Sequence, residues 1–162
     1  MNTRFNKFSI KKIDCENGQL VADLLNQRSS RYQMSSDEEI TCKSINDQLV
    51  NNESVFFVAQ TNDIHSISVG FVHLWSKYSS VNGPRNIIIS DLFVISEYRN
   101  NGIALKLIEA SVKFAIENNS FSIEAATLHN NEIAQRIYQS VGFNRKHHGE
   151  EYLKYYIKLG TE

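Results

Sequence analysis

The spacing of apolar residues along this chain changes repeatedly, and each change predicts a new secondary-structure element. Short apolar runs predict strands at 8–13, 55–59, 69–75, 86–94, 122–127, 143–148 and 151–159. Apolar residues three or four positions apart predict helices at 16–26, 36–51, 102–118 and 131–141. The resulting order, β-α-α-β-β-β-α-β-α-β-β, fits neither a doubly wound sheet nor a TIM barrel. We therefore expect a mixed α/β (α+β) fold in which helices flank one sheet.

Polar segments separate these elements and predict how they join. Ser36 followed by Glu39 has the spacing of a capping box, which predicts the start of the second helix. The segment 60–65 predicts a hairpin turn, and the segment 76–85, which contains Asn-Gly-Pro, predicts a loop. The strands on either side of the hairpin turn should therefore pair with each other.

The most informative segment is 91–104, where a buried strand ends in a short polar turn and Gly102 opens an amphipathic helix. Backbone N–H groups at a helix N-terminus lack partners within the helix, and the helix dipole attracts negative charge there. This arrangement predicts a site for a phosphate-bearing ligand. A Walker A loop is excluded, because Ile-Ala-Leu follows Gly102 where Lys and Ser or Thr are needed. A dinucleotide fingerprint is excluded too, because it needs three spaced glycines.

Composition narrows the class of protein. With 162 residues, of which 41% are apolar and 22% charged, the chain is predicted to form one globular domain over 1–162. The net charge of −1 argues against a nucleic-acid partner, and the short basic cluster 145–148 is predicted to be solvated surface. The two cysteines lack metal-ligand spacing, so no metal is expected. No apolar leader or membrane-length segment is present, which predicts a cytoplasmic protein without a membrane partner.

A second motif lies downstream of the phosphate turn, and the two together indicate a family. The chain carries Arg99-x-x-Gly102-x-Ala104 and then Asn131-x-x-Ala134-x-x-x-Tyr138-x-x-x-Gly142-Phe143. In this order, and in this strand and helix context, the motifs resemble the acetyl-CoA signature of the GNAT superfamily of N-acetyltransferases. The element order is similar to that family's from about 8 to 159. The resemblance implies a GNAT-type mixed, mostly antiparallel central sheet.

The resemblance implies that acetyl-CoA is the cosubstrate. Backbone N–H groups of the turn are expected to bind its pyrophosphate, and Gly102 permits close approach because it has no Cβ. The pantetheine arm should lie along the strand end, in the manner of an added strand. A β-bulge is expected to open a slot for it beside 122–127. The implied cofactor-binding residues are Phe93, Val94, Ile95, Arg99, Asn100, Asn101, Gly102, Ile103, Ala104, Asn131, Ala134 and Tyr138.

Two of these residues have alternative structural roles. Arg99 either adds charge for a phosphate or packs along the turn. Asn131 either bonds the cofactor arm or caps the helix that follows it. The sequence leaves both alternatives open.

Acetyl transfer to an amine needs three groups: an acceptor for the amine proton, a donor to the oxyanion and a partner for the leaving thiolate. The resemblance assigns the second role to the Val94 N–H and the third to Tyr138. Packing in the apolar stripe of its helix is the alternative role of Tyr138. The two residues are thus expected at one site.

The proton acceptor is less clearly indicated. Many relatives carry a carboxylate where this chain has Ile88 and Ser90, so Asp91 is the nearest candidate. Hydrogen bonding within the sheet is the alternative role of Asp91. Glu124, His73 and His129 are weaker candidates, and proton loss through a water chain is a further alternative.

The resemblance places acceptor recognition on the two N-terminal helices and the loop 76–85. The residues singled out there are Arg28, Arg31, Tyr32, Asp37, Glu38, Glu39, Trp75 and Tyr78. The predicted function is N-acetylation of a primary amine on a polyamine-, amino-acid- or antibiotic-like small molecule by direct transfer. The alternatives are a protein or peptide N-acetyltransferase and a non-catalytic CoA-binding module of the same fold. The family also allows a homodimer formed through terminal strands.

Overall fold

The secondary-structure elements follow one another in the predicted order. The computed structural model describes residues 7–31, 38–78, 83, 85–147 and 151–160. The strands are β1 Phe8–Lys12, β2 Ser54–Thr61, β3 Ser68–Tyr78, β4 Arg85–Val94, β5 Ser122–Leu128, β6 Asn144–His147 and β7 Tyr152–Lys158. The helices are α1 Gly18–Arg31, α2 Glu38–Val50, α3 Ile103–Glu117 and α4 Glu132–Val141, with a short 3-10 turn at Ser96–Tyr98. The element order read from the apolar pattern is confirmed.

These strands form one seven-stranded sheet in the order β1-β2-β3-β4-β5-β7-β6. β4 and β5 pair in parallel, whereas every other neighbouring pair of this sheet is antiparallel. The parallel pair is joined by α3, as parallel strands need a crossover connection. The predicted mixed, mostly antiparallel sheet flanked by helices is therefore confirmed.

Helices cover both faces of the sheet and bury two apolar clusters. One cluster includes the inner side of α3, with Leu107 at its centre. The other lies beneath α1 and α2 and includes Leu24 and Ile45. Side chains alternate between the faces along a strand. Val94 accordingly belongs to the first cluster and Phe93 to the second.

β4 and β5 separate after a short stretch of pairing. Their register ends with Ile89 opposite Ala125. On the other edge of β4 the register with β3 shifts, so that His73 faces Asp91 and Ser90 is left as the extra residue. An extra residue of this kind is a β-bulge, which bends the strand and increases its twist. The predicted bulge is confirmed, and beyond it β4 and β5 are no longer paired; the space between these two strand ends is called the slot.

Some element boundaries differ from the sequence-based prediction. α1 continues to Arg31, and β2 continues through Thr61 into the segment predicted as a turn. The predicted loop 76–85 is too long, because β3 extends to Tyr78 and pairs there with Arg85 of β4. Pairing with a neighbouring strand satisfies the backbone groups of these polar residues, a long-range effect that local composition does not report. Ser36 of the predicted capping box lies outside the described residues.

Gly70 of β3 gives a test of this packing near the slot. A Cβ at this position would lie 2.7 Å from the backbone oxygen of Phe93. Gly70→Ala should therefore lower the free energy of unfolding by about 1–2 kcal/mol, because overpacking outweighs the smaller entropic gain of replacing a strand glycine. Chemical denaturation measures this change.

Gly160→Ala is the matched control. Its Cβ would meet the Phe121 ring at 3.3 Å, and a ring at the end of a side chain can move whereas a strand carbonyl cannot. The control should leave stability within about 0.5 kcal/mol of the wild type. Equal effects of the two substitutions would contradict the close approach at Gly70.

Candidate active site

The turn between β4 and α3 leaves the start of a 15-residue helix without a side-chain cap. Gly102 is the N-cap, and Lys106 N–H makes a bond to its carbonyl. The N–H groups of Ile103 and Ala104 therefore have no acceptor within the helix. Ile103 is buried and Ala104 packs against the same core, so both can offer a ligand only backbone groups. Such a helix start favours a bound anion.

The turn has open space at its glycine and is held in shape by its own side chains. Gly102 has a φ of 76°, and a Cβ built on it meets no atom within 4 Å. Asn100 also has a positive φ, of 60°. The Asn101 side-chain amide donates to the carbonyls of Tyr98 and Arg99 at 3.1 and 3.0 Å. The Asn101 side chain is thus engaged within the turn.

Arg99 lies between this turn and the slot. Its Nε donates to the carbonyl oxygen of Val94 at 3.0 Å, which is the packing role that the sequence left as one alternative. The contact uses one of the five guanidinium donors. Arg99 is exposed, so its charge can also act on an anion beside the turn.

The backbone at the end of β4 points into the slot. Ile95 N–H donates to the carbonyl of Val69 in β3 at 2.9 Å. Backbone groups alternate in direction along a strand, so the N–H and C=O of Val94 point toward the β5 edge. The pairing with β5 has already ended at this level. The side chains of Phe93 and Val94 are buried and that of Ile95 is partly buried, which leaves the backbone for contact with an extended ligand.

Tyr138 is fixed at the end of α4, where the downstream motif predicts it. Gly142 is the C-cap with a φ of 102°, and Phe143 N–H donates to the Tyr138 carbonyl at 3.0 Å. The Tyr138 ring lies 5.4 Å from that of Phe143 and 5.3 Å from that of Tyr155, between ring centroids. Only 5% of the residue is exposed.

Asp91 lies close enough to Tyr138 for its charge to act on the phenol. Burial raises the pKa of Tyr138 to about 12, and the negative charge of Asp91 raises it as a further cause. The phenol therefore stays protonated at physiological pH. The fold thus brings together the two residues that the sequence predicts as catalytic, although they lie on β4 and α4.

Asp91 also forms an ion pair that the sequence does not predict. Its Oδ2 lies 3.0 Å from Nε of Arg28 in α1, and its Oδ1 accepts a hydrogen bond from Leu92 N–H at 2.9 Å. Burial raises the pKa of Asp91, while the charge of Arg28 and the Leu92 N–H oppose that rise. No local pattern around Arg28 indicates this partner, because only tertiary packing brings α1 to β4.

Asn131 and Ala134 are joined by a helix cap. The Asn131 Oδ1 accepts a hydrogen bond from the Ala134 N–H at 3.2 Å, which is the capping role that the sequence left open. The Ala134 N–H is engaged in this bond, and its side chain packs against the core. The cap uses only the oxygen of the exposed Asn131 amide.

His73 is partly buried in the sheet and has a structural role there. Its Nε2 lies 2.8 Å from the Ser54 hydroxyl, and its ring stacks on Phe56 with 4.3 Å between centroids. Burial lowers the pKa of His73 to about 4, so the ring is neutral at physiological pH and a weak base. These contacts argue against His73 as the proton acceptor.

The residues predicted to recognise the acceptor are described only in part. Arg28 contacts Asp91, and the exposed fractions of Trp75 and Tyr78 are 42% and 65%. Tyr32 and Asp37 lie outside the described residues, as do the side chains of Arg31, Glu38 and Glu39.

In the described ranges no three or more His, Cys, Asp or Glu side chains group in a way that could hold a metal ion. None of the helices described is both long and apolar enough to cross a membrane.

Comparisons with known proteins indicate one family. Residues 19–143 match the model of the Acetyltransferase (GNAT) family. The uncharacterized N-acetyltransferase YhfO of Bacillus subtilis (strain 168) is 29% identical over 135 residues, which is 83% of this chain and 89% of that protein. A crystal structure of a probable acetyltransferase has a TM-score of 0.77 and 28% identity, over 88% of this chain and 93% of the other.

A further solved structure shares the fold. It is the aminoglycoside acetyltransferase AAC(6')-Iy with the bisubstrate analogue CoA-S-monomethyl-acetylneamine, at a TM-score of 0.73 and 18% identity over 88% of this chain and 95% of the other. The family match covers both motifs, 99–104 and 131–143, and also β5, which lies between them in the chain. This protein belongs to the GNAT family of acetyltransferases.

Proposed function

We propose that this protein transfers the acetyl group of acetyl-CoA directly to a primary amine of a small molecule. The observation that supports the proposal is that the charge of Asp91 acts on Tyr138, while the Val94 backbone next along β4 is directed toward the β5 edge. The fold relative AAC(6')-Iy, bound to CoA joined to an acetylated amine, supports both the donor and the small-molecule class of acceptor. We expect a single catalytic domain; its cytoplasmic location stays a prediction from the sequence.

The residues around the slot fit CoA as a ligand. The helix start at 100–104 offers backbone N–H groups to a pyrophosphate, and Arg99 adds positive charge beside it. The Val94 backbone can pair with the amide groups of an extended arm. The Asn131 side-chain amide lies at the N-terminus of α4 and is a further candidate contact. Acetyl-CoA supplies the acetyl group as a thioester.

Each catalytic group of the protein has a separate task. The Val94 N–H can donate to the carbonyl oxygen on which negative charge develops. The nitrogen–carbon bond forms as the carbon–sulfur bond breaks. The amine proton passes to Asp91 or to water, and the departing thiolate accepts a hydrogen bond from Tyr138.

The pKa of Tyr138 limits how it can assist the thiolate. A thiol has a pKa of about 8.5, so complete proton transfer from a phenol at about 12 is uphill by about 5 kcal/mol. We therefore infer that Tyr138 acts mainly by donating a hydrogen bond to the sulfur. The raised pKa of Asp91 makes it a stronger base than a solvated carboxylate, and Arg28 favours its ionised form.

An amine panel tests the proposed function. The purified protein should release CoA from acetyl-CoA with at least one polyamine, amino acid or aminoglycoside, and more slowly with peptides. Tyr138→Phe should lower kcat by about 100-fold and change the Kd for acetyl-CoA by less than about 3-fold, because the lost hydrogen bond forms mainly as the thiolate leaves. The wild-type rate should show no alkaline fall from Tyr138 below about pH 11, since its pKa is about 12.

Tyr155→Phe is the matched control for the panel. The Tyr155 hydroxyl is buried and has no hydrogen-bond partner within the described residues, so its removal should leave kcat within about 2-fold. Turnover of peptides alone would favour the protein acetyltransferase alternative. CoA binding without turnover of any amine would favour the non-catalytic module and contradict the proposal.

Matched substitutions at two glycines with positive φ distinguish a loss of anion binding from the effect of backbone strain. Gly102 and Gly142 both have positive φ and open space around a Cβ, but only Gly102 lies at the start of α3. Gly102→Glu should raise the Kd for acetyl-CoA at least 10-fold by placing a carboxylate beside the pyrophosphate. Gly142→Glu should lower Tm similarly but change that Kd less than about 3-fold. Calorimetry measures the Kd for acetyl-CoA, and thermal melting measures Tm. An equal loss of affinity in the two variants would contradict the assigned site.

The ion pair with Arg28 predicts how Asp91 titrates. Arg28→Gln removes a neighbouring cation that lowers the pKa of Asp91, so that pKa should rise further. Activity that needs ionised Asp91 is lost as pH falls through this pKa, so the acid limb should move to higher pH. NMR titration of the Asp91 carboxyl carbon measures the shift. Arg28→Lys should bring the pKa of Asp91 part of the way back to its wild-type value, because the positive charge is kept.

Arg136→Gln controls for a general loss of charge. Arg136 pairs at 3.0 Å with Glu132 on the exposed side of α4, and the two side chains are 78% and 74% exposed. This variant should not move the Asp91 titration. An unchanged Asp91 pKa in Arg28→Gln would show that the ion pair has no influence in solution.

A further inference from the structure

A second charged feature lies on β5, β7 and β6, from the paired end of β5 at Ser122 to Lys154 at the level where pairing with β4 has ended. A cavity of about 210 Å³ there is lined by three lysines, one glutamate and aromatic side chains. The lysines are Lys146, Lys154 and Lys158, and the glutamate is Glu124. Three positive charges against one negative charge make the lining cationic, although the whole chain carries a net charge of −1.

Strand register places two of these lysines level with Asp91. Pairing of β4 with β5 ends at Ile89 opposite Ala125, and Asp91 and Ala126 each come next once the bulge residue is skipped. Ala126 faces Lys154 on β7, and Lys154 faces Lys146 on β6. One row across the sheet therefore runs from Asp91 over the slot to Ala126, Lys154 and Lys146.

The row lies on one face of the sheet. Ala125 is buried in the cluster beneath α3, so Ala126 points to the other face. Asp91 lies on that other face too, because it contacts Arg28 of α1, and α1 packs on the second cluster. Residues directly opposite on paired strands share a face, which includes Lys154 and Lys146.

Lys146 and Lys154 lie directly opposite each other, and this placement of two like charges destabilises the pairing of β6 with β7 when no ligand is bound. Like charges directly opposite each other on neighbouring strands repel, and both lysines are exposed. Ala126 is exposed and offers only a methyl group between the slot and Lys154. An anion placed over the pair would relieve the repulsion. The sequence predicts Lys146 as part of a solvated basic cluster, because its partner across the sheet lies in a different segment.

We propose that Lys154 and Lys146, at the end of this cavity nearest the slot, bind an anionic group, a carboxylate or a phosphate, on the far end of the acceptor amine. The inference rests on the proposed acetyl transfer and narrows its substrate class to amines that also carry an anion, such as amino acids. Asp91 attracts the ammonium end and Lys154 with Lys146 the anionic end. β4 and β7 are two strand spacings apart, at least about 10 Å, so the two groups stand at opposite ends of a molecule of about the length of lysine.

Lysine and cadaverine are a matched pair for the test, because they differ only by the carboxylate. The wild type should show a kcat/KM for lysine about 5-fold above that for cadaverine, since each of two exposed charge contacts contributes about 1.4- to 5-fold. Lysinamide should behave like cadaverine. Aminopentyl phosphate carries a phosphate in place of the carboxylate. The ratio of its kcat/KM to that of cadaverine distinguishes a phosphate site from a carboxylate site. The preference should shrink as salt concentration rises.

Substitution of the lysine pair should remove the preference. In Lys146→Gln/Lys154→Gln the lysine-to-cadaverine ratio should fall to about 1–2, and each single variant should give an intermediate value. Lys113→Gln is the control for loss of one charge: Lys113 is 76% exposed on α3 and pairs only weakly, at 3.7 Å, with Glu117. This control should keep the wild-type ratio. Thermal melting checks that the exposed substitutions leave the fold intact.

The outcomes separate the anion site from the proposed transfer. Equal turnover of lysine and cadaverine by the wild type, or a preference that survives the double substitution, would overturn the anion site while transfer stands. If no amine is turned over, the transfer itself is wrong, and calorimetric titration with lysine and cadaverine decides the anion site alone. A binding preference for lysine that disappears in the double variant would then support the site, and equal binding would overturn it.

Discussion

The site depends on one constraint, the end of hydrogen bonding between β4 and β5 at the Ser90 bulge. Buried backbone groups need partners, and a strand that leaves its neighbour must find others. Two side chains take over part of this role here. The Asp91 carboxylate accepts from Leu92 N–H, and the Arg99 guanidinium donates to the Val94 carbonyl. The Val94 N–H stays directed into the slot, where an extended ligand can take the place of the missing strand.

The same divergence arranges charge around the slot. Asp91 is drawn into a partly buried position, where the ion pair with Arg28 opposes the cost of burying its charge. Its negative charge in turn disfavours ionisation of the neighbouring Tyr138. The two groups thus have distinct protonation states over the physiological range, with a phenol that stays protonated and a carboxylate that an arginine helps to ionise. Such separation is typical of sites that perform acid and base chemistry together.

Local signals were sufficient for much of the fold. Element order followed from apolar spacing, and Gly102 and Gly142 marked a helix start and a helix end because both adopt positive φ. Predictions were less accurate where distant segments pair. The segment 76–85 was predicted as a loop, yet β3 and β4 pair through Tyr78 and Arg85. Its polar residues carry no local sign of that pairing.

The site residues divide in the same way. The sequence motifs indicated the turn, the strand end and Tyr138. They did not decide between ligand binding and capping for Asn131, and in the structure its side-chain oxygen caps α4. The ion pair of Asp91 with Arg28 was absent from the sequence-based prediction, because the two residues belong to separate elements. The lysine row was missed for the same reason, since Lys146 and Lys154 face each other only through strand register.

The sequence by itself determined the order of elements, the helix start at Gly102 and the family motifs, because these depend on residues close together in the chain. Only the tertiary structure decided the partners of Asp91, the position of Tyr138 beside it and the row of charges across the slot. Charge pairing and pKa depend on distances between groups and on their burial, which strand register and helix packing set. The slot depends on both the sequence and the tertiary structure. The chain supplies the extra residue, Ser90, and the register of β3, β4 and β5 determines that pairing ends there.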